Sequence, residues 1–192
     1  MPFFLLSFLL LPLAGSQSST TTAQLVPDPM VLFDFETTDG AVWRVVNDGV
    51  MGGLSQGFVD IEEGTLRFTG ELVTRGGGFT SVRIDRRVDL SDYDGLELRV
   101  RGGGRTFEVE VDDGTRRGWR SVSRRASFET DAEWAMVRVP FDTLKTTVFG
   151  EPVSAPPVDL TNVQSFGLYI LDGIDGPFEL EVDTIQAYRA DD

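Results

Sequence analysis

Cysteine and histidine are absent from this 192-residue chain, and Lys145 is its only lysine. The lack of cysteine excludes a disulfide framework and a thiol nucleophile. The lack of histidine removes the commonest general base and, together with the lack of cysteine, the usual ligands of zinc. Ser-His-Asp and Cys-His catalysis are therefore excluded, and the sequence singles out no pair of carboxylates for hydrolysis. We expect a protein that is not an enzyme and that holds no cofactor, except for a structural calcium ion, since calcium prefers oxygen ligands.

Positive charge is scarce. Lysine and arginine together number 17, against 31 aspartates and glutamates, which gives a formal net charge of −14 at pH 7. A field of this sign repels nucleic acids and anionic membrane surfaces. We therefore expect no nucleic-acid partner.

One continuous apolar run stands at the start of the chain, in residues 3–13. It has the length of a signal-peptide core and is too short for a transmembrane helix of ~20 residues, so no transmembrane span is expected. Ala14 and Ser16, and again Thr21 and Ala23, have the small-x-small form of a cleavage site. A mitochondrial transit peptide fits poorly, because such peptides are rich in arginine and this run has none.

These features divide the chain into three parts. Residues 1–23 are predicted to be a signal peptide and polar leader, residues 24–29 a linker, and residues 30–189 one folded domain. The protein is expected to be exported, periplasmic or secreted, if the leader is cleaved, and cytoplasmic or inner-membrane-associated otherwise.

The predicted domain alternates apolar and polar residues with a period of two, which is the pattern of half-buried strands. The clearest alternation is in residues 96–101, 107–112, 136–139 and 178–183. Residues 163–171 are nearly all apolar and predict a central strand covered on both faces. About ten strands separated by Asp-Gly and similar turns predict an all-β sandwich or barrel.

Two segments depart from this pattern. Residues 141–162 carry three prolines, which predicts a loop or strand-crossing connection with at most one short turn of helix at residues 142–145. In the last strand the apolar parity shifts by one position, which predicts a β-bulge near Asp183 and Thr184.

The sequence NDGVMGGLS at residues 47–55 follows a strand-like WRVV that begins at Trp43. Asp-Gly and Gly-Gly are ordinary turn dipeptides, so on local grounds the segment is a hairpin turn. Adjacent glycines also allow another surface to approach the backbone closely. The segment is therefore either a turn or a loop that a partner recognises.

Together with other segments in the same order, this motif resembles the hallmark of the complex I intermediate-associated protein 30 family. The further matching segments are FTGEL (68–72), GGGF (76–79), SVR (81–83), DYDGL (92–96), VPF (139–141), SFG (165–167) and GPFEL (176–180). The resemblance extends from about Leu32 to Tyr188. It implies a galactose-binding-like jelly-roll β-sandwich.

The resemblance also implies a function. Eukaryotic members assist the assembly of respiratory NADH:ubiquinone oxidoreductase as chaperone-like binding factors and not as enzymes. Carbohydrate-binding modules share the implied fold, so an extracytoplasmic carbohydrate- or ligand-binding module is the alternative. If the chain has the assembly function, its partners are proteins, with respiratory complex subunits as candidates.

A recognition loop is the first candidate site. Its residues are Asn47, Asp48, Gly49, Met51, Gly52, Gly53 and Ser55. In this interpretation Met51 is a soft apolar contact and the glycines permit close approach. In the competing interpretation Asp48 caps the turn, Met51 packs in the core and Ser55 satisfies a backbone group. Trp43 is expected in the core in both.

A ligand face is the second candidate, because Trp119 lies in a polar stretch beside the basic residues Arg116, Arg117 and Arg120. Exposed aromatic rings stack on sugars, and arginines bond hydroxyls or acidic groups. Arg124 and Arg125 extend the basic cluster. In the competing interpretation the cluster is a solvated face or an edge strand that its charges protect against pairing. Trp134 and Tyr169 are expected mainly in the core.

The third candidate is a pair of acidic residues, Glu36 and Asp183. In many jelly-roll binding modules, acidic residues of the first and last strands hold a structural calcium. Here the resemblance is to the fold and not to a motif, and calcium needs several more oxygen ligands. The competing interpretation is two exposed carboxylates.

Overall fold

The computed structural model describes residues 29–36 and 42–190. The expected leader and nearly all of the expected linker, residues 1–28, lie outside this part of the chain. The described residues form fifteen β-strands and three 3-10 helices. In chain order the strands are β1 (Met30–Phe33), β2 (Arg44–Asn47), β3 (Gln56–Glu62), β4 (Thr65–Leu72), β5 (Thr80–Val88), β6 (Gly95–Arg101), β7 (Thr106–Asp112), β8 (Arg116–Arg117), β9 (Arg120–Ser121), β10 (Ser123–Glu129), β11 (Ala135–Pro140), β12 (Lys145–Val148), β13 (Glu151–Pro152), β14 (Val163–Ile170) and β15 (Gly176–Tyr188).

The strands form two large antiparallel sheets. Sheet A has the order β11-β6-β15-β4-β3, with β1 paired to the second half of β15. Sheet B has the order β13-β12-β10-β7-β14-β5-β2. The short strands β8 and β9 form a separate hairpin. The all-β sandwich predicted from the period-2 alternation is confirmed.

The core lies between the two sheets, where the inward side chains of both meet. Aromatic rings of the two sheets contact each other. The ring centres of Phe107 (β7) and Phe178 (β15) are 6.3 Å apart, and those of Phe33 (β1) and Phe166 (β14) are 5.7 Å apart. Trp43 is buried against Phe33, as expected. Each of these rings contributes about 1.5–3 kcal/mol by leaving water.

The last two strands in chain order, β14 and β15, follow the prediction closely. The predicted central strand is β14, which pairs with β5 on one side and β7 on the other and is largely buried. The predicted bulge is present, because the pairing of β15 with β6 shifts register between Val182 and Thr184. The extra residue lets both halves of β15 turn their apolar side chains to the core.

The interpretation of residues 141–162 as a loop or crossing is wrong in part. The segment begins with the 3-10 helix Phe141–Thr143 and ends with the 3-10 helix Leu160–Asn162, but a hairpin of β12 and β13 lies between them. Its turn is Phe149-Gly150, and both residues have positive φ, 51° and 82°. Pro152 is compatible with β13 because this strand is the edge of sheet B.

Candidate functional site

Asp48 is the centre of the NDGVMGGLS motif, and it points into the protein. It begins the 3-10 helix Asp48–Met51 directly after β2, and its side chain is fully buried. The backbone N–H and the hydroxyl of Ser55 donate to it at 3.0 and 2.7 Å. The backbone N–H groups of Gly78 and Phe79 donate to the same carboxylate at 2.7 and 3.3 Å. We call Asp48, Ser55, Gly78 and Phe79 the Asp48 cluster.

These donors determine the charge state of Asp48. Burial by itself raises the pKa of the carboxyl group, since it disfavours the charged form. The hydrogen bonds from Gly78, Ser55 and Phe79 outweigh this effect and hold the pKa of Asp48 below its usual value. The cluster therefore contains a stably ionised carboxylate whose lone pairs are occupied from inside the protein.

Glycines make room for this carboxylate. A methyl group at Gly53 or at Gly77 would overlap the Asp48 side chain. Gly76 has a φ of 85°, and a methyl group there would lie 3.0 Å from the carbonyl oxygen of Gly52. The motif and the GGGF segment thus meet around Asp48, which explains in physical terms why both are rich in glycine.

The polar neighbours of Asp48 are also used internally. Asn47 Oδ1 accepts from the Gly57 N–H at 3.0 Å and from the Thr80 hydroxyl at 2.6 Å. The Ser55 hydroxyl accepts from the Val73 N–H at 3.1 Å. These contacts tie the loop to β3, β4 and β5.

The exposed part of the predicted recognition loop is small. Gly49 and Gly52 are exposed, Gly53 is half-buried, and the neighbouring Leu54 is 66% exposed. The side chain of Met51 lies outside the described residues. The recognition loop stays a prediction, but its polar residues Asp48 and Ser55 are not accessible to a partner.

The predicted ligand face lies on the β8–β9 hairpin. Gly118, with a φ of 66°, and Trp119 form its turn, and Trp119 is 74% exposed. The Trp119 ring lies 6.1 Å from that of Phe149, which forms the turn of the β12–β13 hairpin and is 66% exposed. The Arg120 guanidinium lies 5.0 Å from the centre of the first ring and 5.3 Å from that of the second. The sequence analysis did not single out Phe149, and its only signal is the Phe-Gly dipeptide after the β-prone run KTTV.

The basic cluster divides into exposed and buried members. Arg116, Arg117 and Arg120 are exposed, and none forms an ion pair within the described ranges. Arg125 instead pairs with Glu108 at 3.1 Å. The extension of the solvated cluster to Arg124 is wrong, because this side chain is 1% exposed.

Arg124 belongs to a buried ion pair. Its guanidinium lies 3.5 Å from Asp113, whose side chain is also 1% exposed, and it donates to the carbonyl oxygen of Pro156 at 2.8 Å. Asp113 also accepts from the N–H groups of Thr115 and Asp159, both at 2.9 Å. Burial raises the pKa of Asp113, but these donors and the Arg124 charge hold it below its usual value. The pair fixes the connection before β14 to the end of β7.

Tyr169 is buried on the outer face of sheet B, not in the core between the sheets. Its hydroxyl bonds to Glu110, and the guanidinium groups of Arg83 and Arg125 lie 4.9 and 4.8 Å from its ring centre. A methyl group at Gly167 would lie 2.8 Å from this ring. Burial, with the nearby Glu110 charge, raises the pKa of Tyr169 far above its ordinary value. The ring is covered and offers no stacking surface.

Trp134, expected mainly in the core, is half-buried, and its ring centre lies 4.9 Å from the guanidinium groups of both Arg99 and Arg101.

The acidic residues proposed for calcium do not fit an ion together. Asp183 forms an ion pair with Arg99, and Glu36 lies against Gly64. In residues 29–36 and 42–190 no group of three or more carboxylates could hold a metal ion. Structural calcium stays a prediction without support from a ligand set.

In residues 29–36 and 42–190 no helix has the length and apolar character needed to cross a membrane.

Two antiparallel sheets, with the Asp48 cluster joining the motif to the glycine-rich segment, define a β-sandwich protein. The family model described as complex I intermediate-associated protein 30 matches residues 33–182. The chain therefore belongs to the complex I intermediate-associated protein 30 family.

Curated relatives carry the same name. The complex I intermediate-associated protein 30, mitochondrial, of Mus musculus is 27% identical over 92% of this chain and 61% of its own length. The probable complex I intermediate-associated protein 30, mitochondrial, of Caenorhabditis briggsae is 25% identical over 83% of this chain and 54% of its own. The chain thus spans little more than half the length of these relatives.

Solved structures show the same fold. A family 11 carbohydrate-binding module of a cellulosomal cellulase of Clostridium thermocellum has a TM-score of 0.65 and 15% identity, over 85% of this chain and 95% of its own. A family 30 carbohydrate-binding module has a TM-score of 0.53 and 16% identity, over 86% of each chain. At these identities the likeness concerns the fold, and the galactose-binding-like jelly roll predicted from the sequence is confirmed.

The predicted localisation is wrong. The curated relatives are mitochondrial proteins, which contradicts the expectation of a periplasmic or secreted protein and of a cytoplasmic or inner-membrane-associated one. The prediction depended on the composition of residues 3–23 alone. A short apolar run followed by small residues is a weak indicator of compartment, because its composition is not unique to one sorting route.

Proposed function

We propose that the chain is a non-enzymatic binding protein that assists the assembly of respiratory complex I in a chaperone-like manner, as the name of its family suggests. The observation that carries this proposal is the family match over residues 33–182, which includes strands of both sheets and the whole Asp48 cluster. The chain spans only part of the length of these relatives, so the activity of the whole relatives is proposed for it and not established.

The chemistry of the buried carboxylates supports binding over catalysis. Asp48, Glu110 and Asp113 are each engaged by donors from the protein itself. A general acid or base needs to reach the proton that it transfers and a pKa near the working pH. The pKa values of Asp48 and Asp113 are instead held below the usual range.

Deletion of the gene in the native cells tests the proposal. We expect less fully assembled complex I on native gels and lower NADH:ubiquinone oxidoreductase activity, with both restored by the wild-type chain. An exposed-surface variant such as Asp85→Asn serves as a matched control and should restore both equally. Unchanged complex I levels in the deletion strain would reject the assembly role.

Glycan binding is the second candidate, and the exposed rings of Trp119 and Phe149 favour it. Sugars stack on such rings. A ligand that binds only the folded state raises thermal stability. A β-1,3-1,4-mixed-linked tetrasaccharide, which is bound in a solved structure of a family 11 carbohydrate-binding module from Clostridium thermocellum, should therefore raise the Tm at millimolar concentration if this function applies. An unchanged Tm in wild type, or an equal rise in Trp119→Ala, would argue against it.

A further inference from the structure

The two hairpins at one end of sheet B form a preformed surface that the Asp48 cluster does not use. We define the tip surface as Trp119, Phe149, Arg116, Arg117 and Arg120. We infer that the tip surface binds an acidic protein segment, one that places an apolar side chain on the two rings and flanking carboxylates on the arginines. This inference rests on the proposed function and names the chemistry of the partner.

The charges of the tip surface carry the first step. The chain is strongly acidic, and arginines elsewhere pair with its own carboxylates, as Arg44 does with Asp85 and Arg138 with Glu97. In the described part of the chain Arg116, Arg117 and Arg120 have no such partner. Arg116 lies near Asp112, which compensates part of its charge without forming an ion pair. Cations such as Arg117 and Arg120, grouped on an acidic protein without an ion-pair partner among the described residues, are complementary to a partner's carboxylates.

Phe149 carries the second step. It is 66% exposed and has a φ of 51°, a left-handed conformation that is unfavourable for a bulky side chain. The turn would form more readily with asparagine at this position. Neither burial nor turn geometry accounts for the aromatic ring. It contacts the exposed Trp119 ring and the Arg120 guanidinium within the protein, and at 66% exposure it is also available for an apolar contact with a partner. Strained residues of this kind cluster at binding sites.

The arrangement of the rings favours a peptide over a sugar. The planes of Trp119 and Phe149 are inclined by 54°, so they do not form one flat platform for a pyranose ring. The Arg120 guanidinium lies near both rings and brings positive charge to the apolar contact. Trp and Arg are enriched among the residues that carry most of the binding energy in protein interfaces, and Phe is enriched in interfaces.

The test uses the indole N–H signals of the ¹⁵N-labelled full chain. The sequence has three tryptophans, so there are three such signals, and Trp119→Phe identifies the one of interest. The probe is the peptide acetyl-Glu-Asp-Leu-Asp-Glu-amide, and the controls are the same peptide with lysine at the four acidic positions and with alanine for leucine. We expect the acidic peptide to shift the Trp119 signal saturably, with little change at the buried Trp43, and to bind several-fold more weakly at 0.5 M salt.

Variants separate the role of the surface from folding. Phe149→Asn should raise the Tm, because asparagine suits the turn, yet weaken peptide binding about tenfold or more, as loss of a central anchor does. Arg117→Glu with Arg120→Glu should abolish binding, and Arg44→Glu on β2 should leave it unchanged. No shift at millimolar acidic peptide, or an equal shift with the lysine peptide, would overturn the inference. So would a shift of the Trp119 signal by the mixed-linked tetrasaccharide in place of the acidic peptide.

Complementation of the deletion strain distinguishes this inference from the proposed function. If the wild type and the Arg117→Glu, Arg120→Glu variant restore complex I equally, the assembly role stands and the tip surface is not its binding site. If deletion leaves complex I unchanged, the assembly role falls, and the peptide titration alone decides whether the tip surface binds acidic segments.

Discussion

Ser55 binds Asp48 twice, through its backbone N–H at 3.0 Å and through its hydroxyl at 2.7 Å. Both residues are buried, and they are seven positions apart. This double contact closes the motif into a loop that is held from inside. Because Gly78 and Phe79 donate to the same carboxylate, the loop is also joined to the start of β5.

The first prediction concerns the stability that Asp48 contributes. In Asp48→Asn the side chain keeps its shape, but it presents an NH2 donor and a neutral carbonyl oxygen to the four groups that donate to Asp48. The carbonyl oxygen is a weaker acceptor, so buried N–H groups are left unsatisfied. We expect a loss of about 2–3 kcal/mol in the free energy of unfolding. The urea midpoint should fall with an unchanged m-value. Asp85→Asn is the control, since Asp85 is exposed in a surface ion pair and should cost less than about 1 kcal/mol.

The second prediction is the pH dependence of the same group. The folded-state pKa of Asp48 lies below the unfolded value of about 3.9. Between the two pKa values the unfolded chain binds more protons, so stability rises with pH there. The contribution is fully present above about pH 4 and is lost as the pH falls through the folded pKa.

Urea unfolding of wild type and Asp48→Asn between about pH 5 and pH 2 measures this contribution. Asp113 and Asp172 act in the same direction, so the Asp48→Asn protein still loses stability as the pH falls. The slope should nevertheless be smaller in Asp48→Asn. Parallel curves for the two proteins would show that Asp48 does not change its pKa on folding.

The fold was predictable because its signals are local. Period-2 alternation, as in β7 and β15, requires only the residues of one strand, and the bulge near Thr184 was visible as a shift in parity. The β12–β13 hairpin was not predictable in the same way. Its prolines suggested a loop, and its turn contains Phe149 in a conformation that sequence rules assign to glycine or asparagine.

The candidate site was only partly predictable, because its contacts are distant in the sequence. The motif drew attention to Asp48, but its donors Gly78 and Phe79 lie 30 and 31 positions away. Arg124 could have been assigned to the interior, since it shares a strand face with Ala126 and Phe128. The charge of Arg124 argues against burial, and the compensating Asp113 lies at the end of another strand.

The third prediction separates packing from recognition in the motif. Gly53→Ala should cost about 2–4 kcal/mol, because the added methyl group overlaps Asp48, and overpacking of a tight site is destabilising. Gly49→Ala is the matched control within the same loop, since its added methyl group meets no atom within 4 Å. Thermal unfolding followed by circular dichroism measures both. If Gly53→Ala kept the Tm of the wild type but lost partner capture, the loop would be a recognition element.

The fourth prediction concerns the buried pair of Arg124 and Asp113. Arg124→Met leaves Asp113 buried without its cation, and removing one member of such a pair costs about 3–5 kcal/mol. Adding Asp113→Asn should recover part of this loss, because the uncompensated charge is then removed. Arg44→Met, at an exposed pair, should change the free energy of unfolding by less than about 1 kcal/mol. Chemical unfolding of the four proteins completes the comparison, and equal losses for Arg124→Met and Arg44→Met would show that the interior pair contributes no more than a surface one.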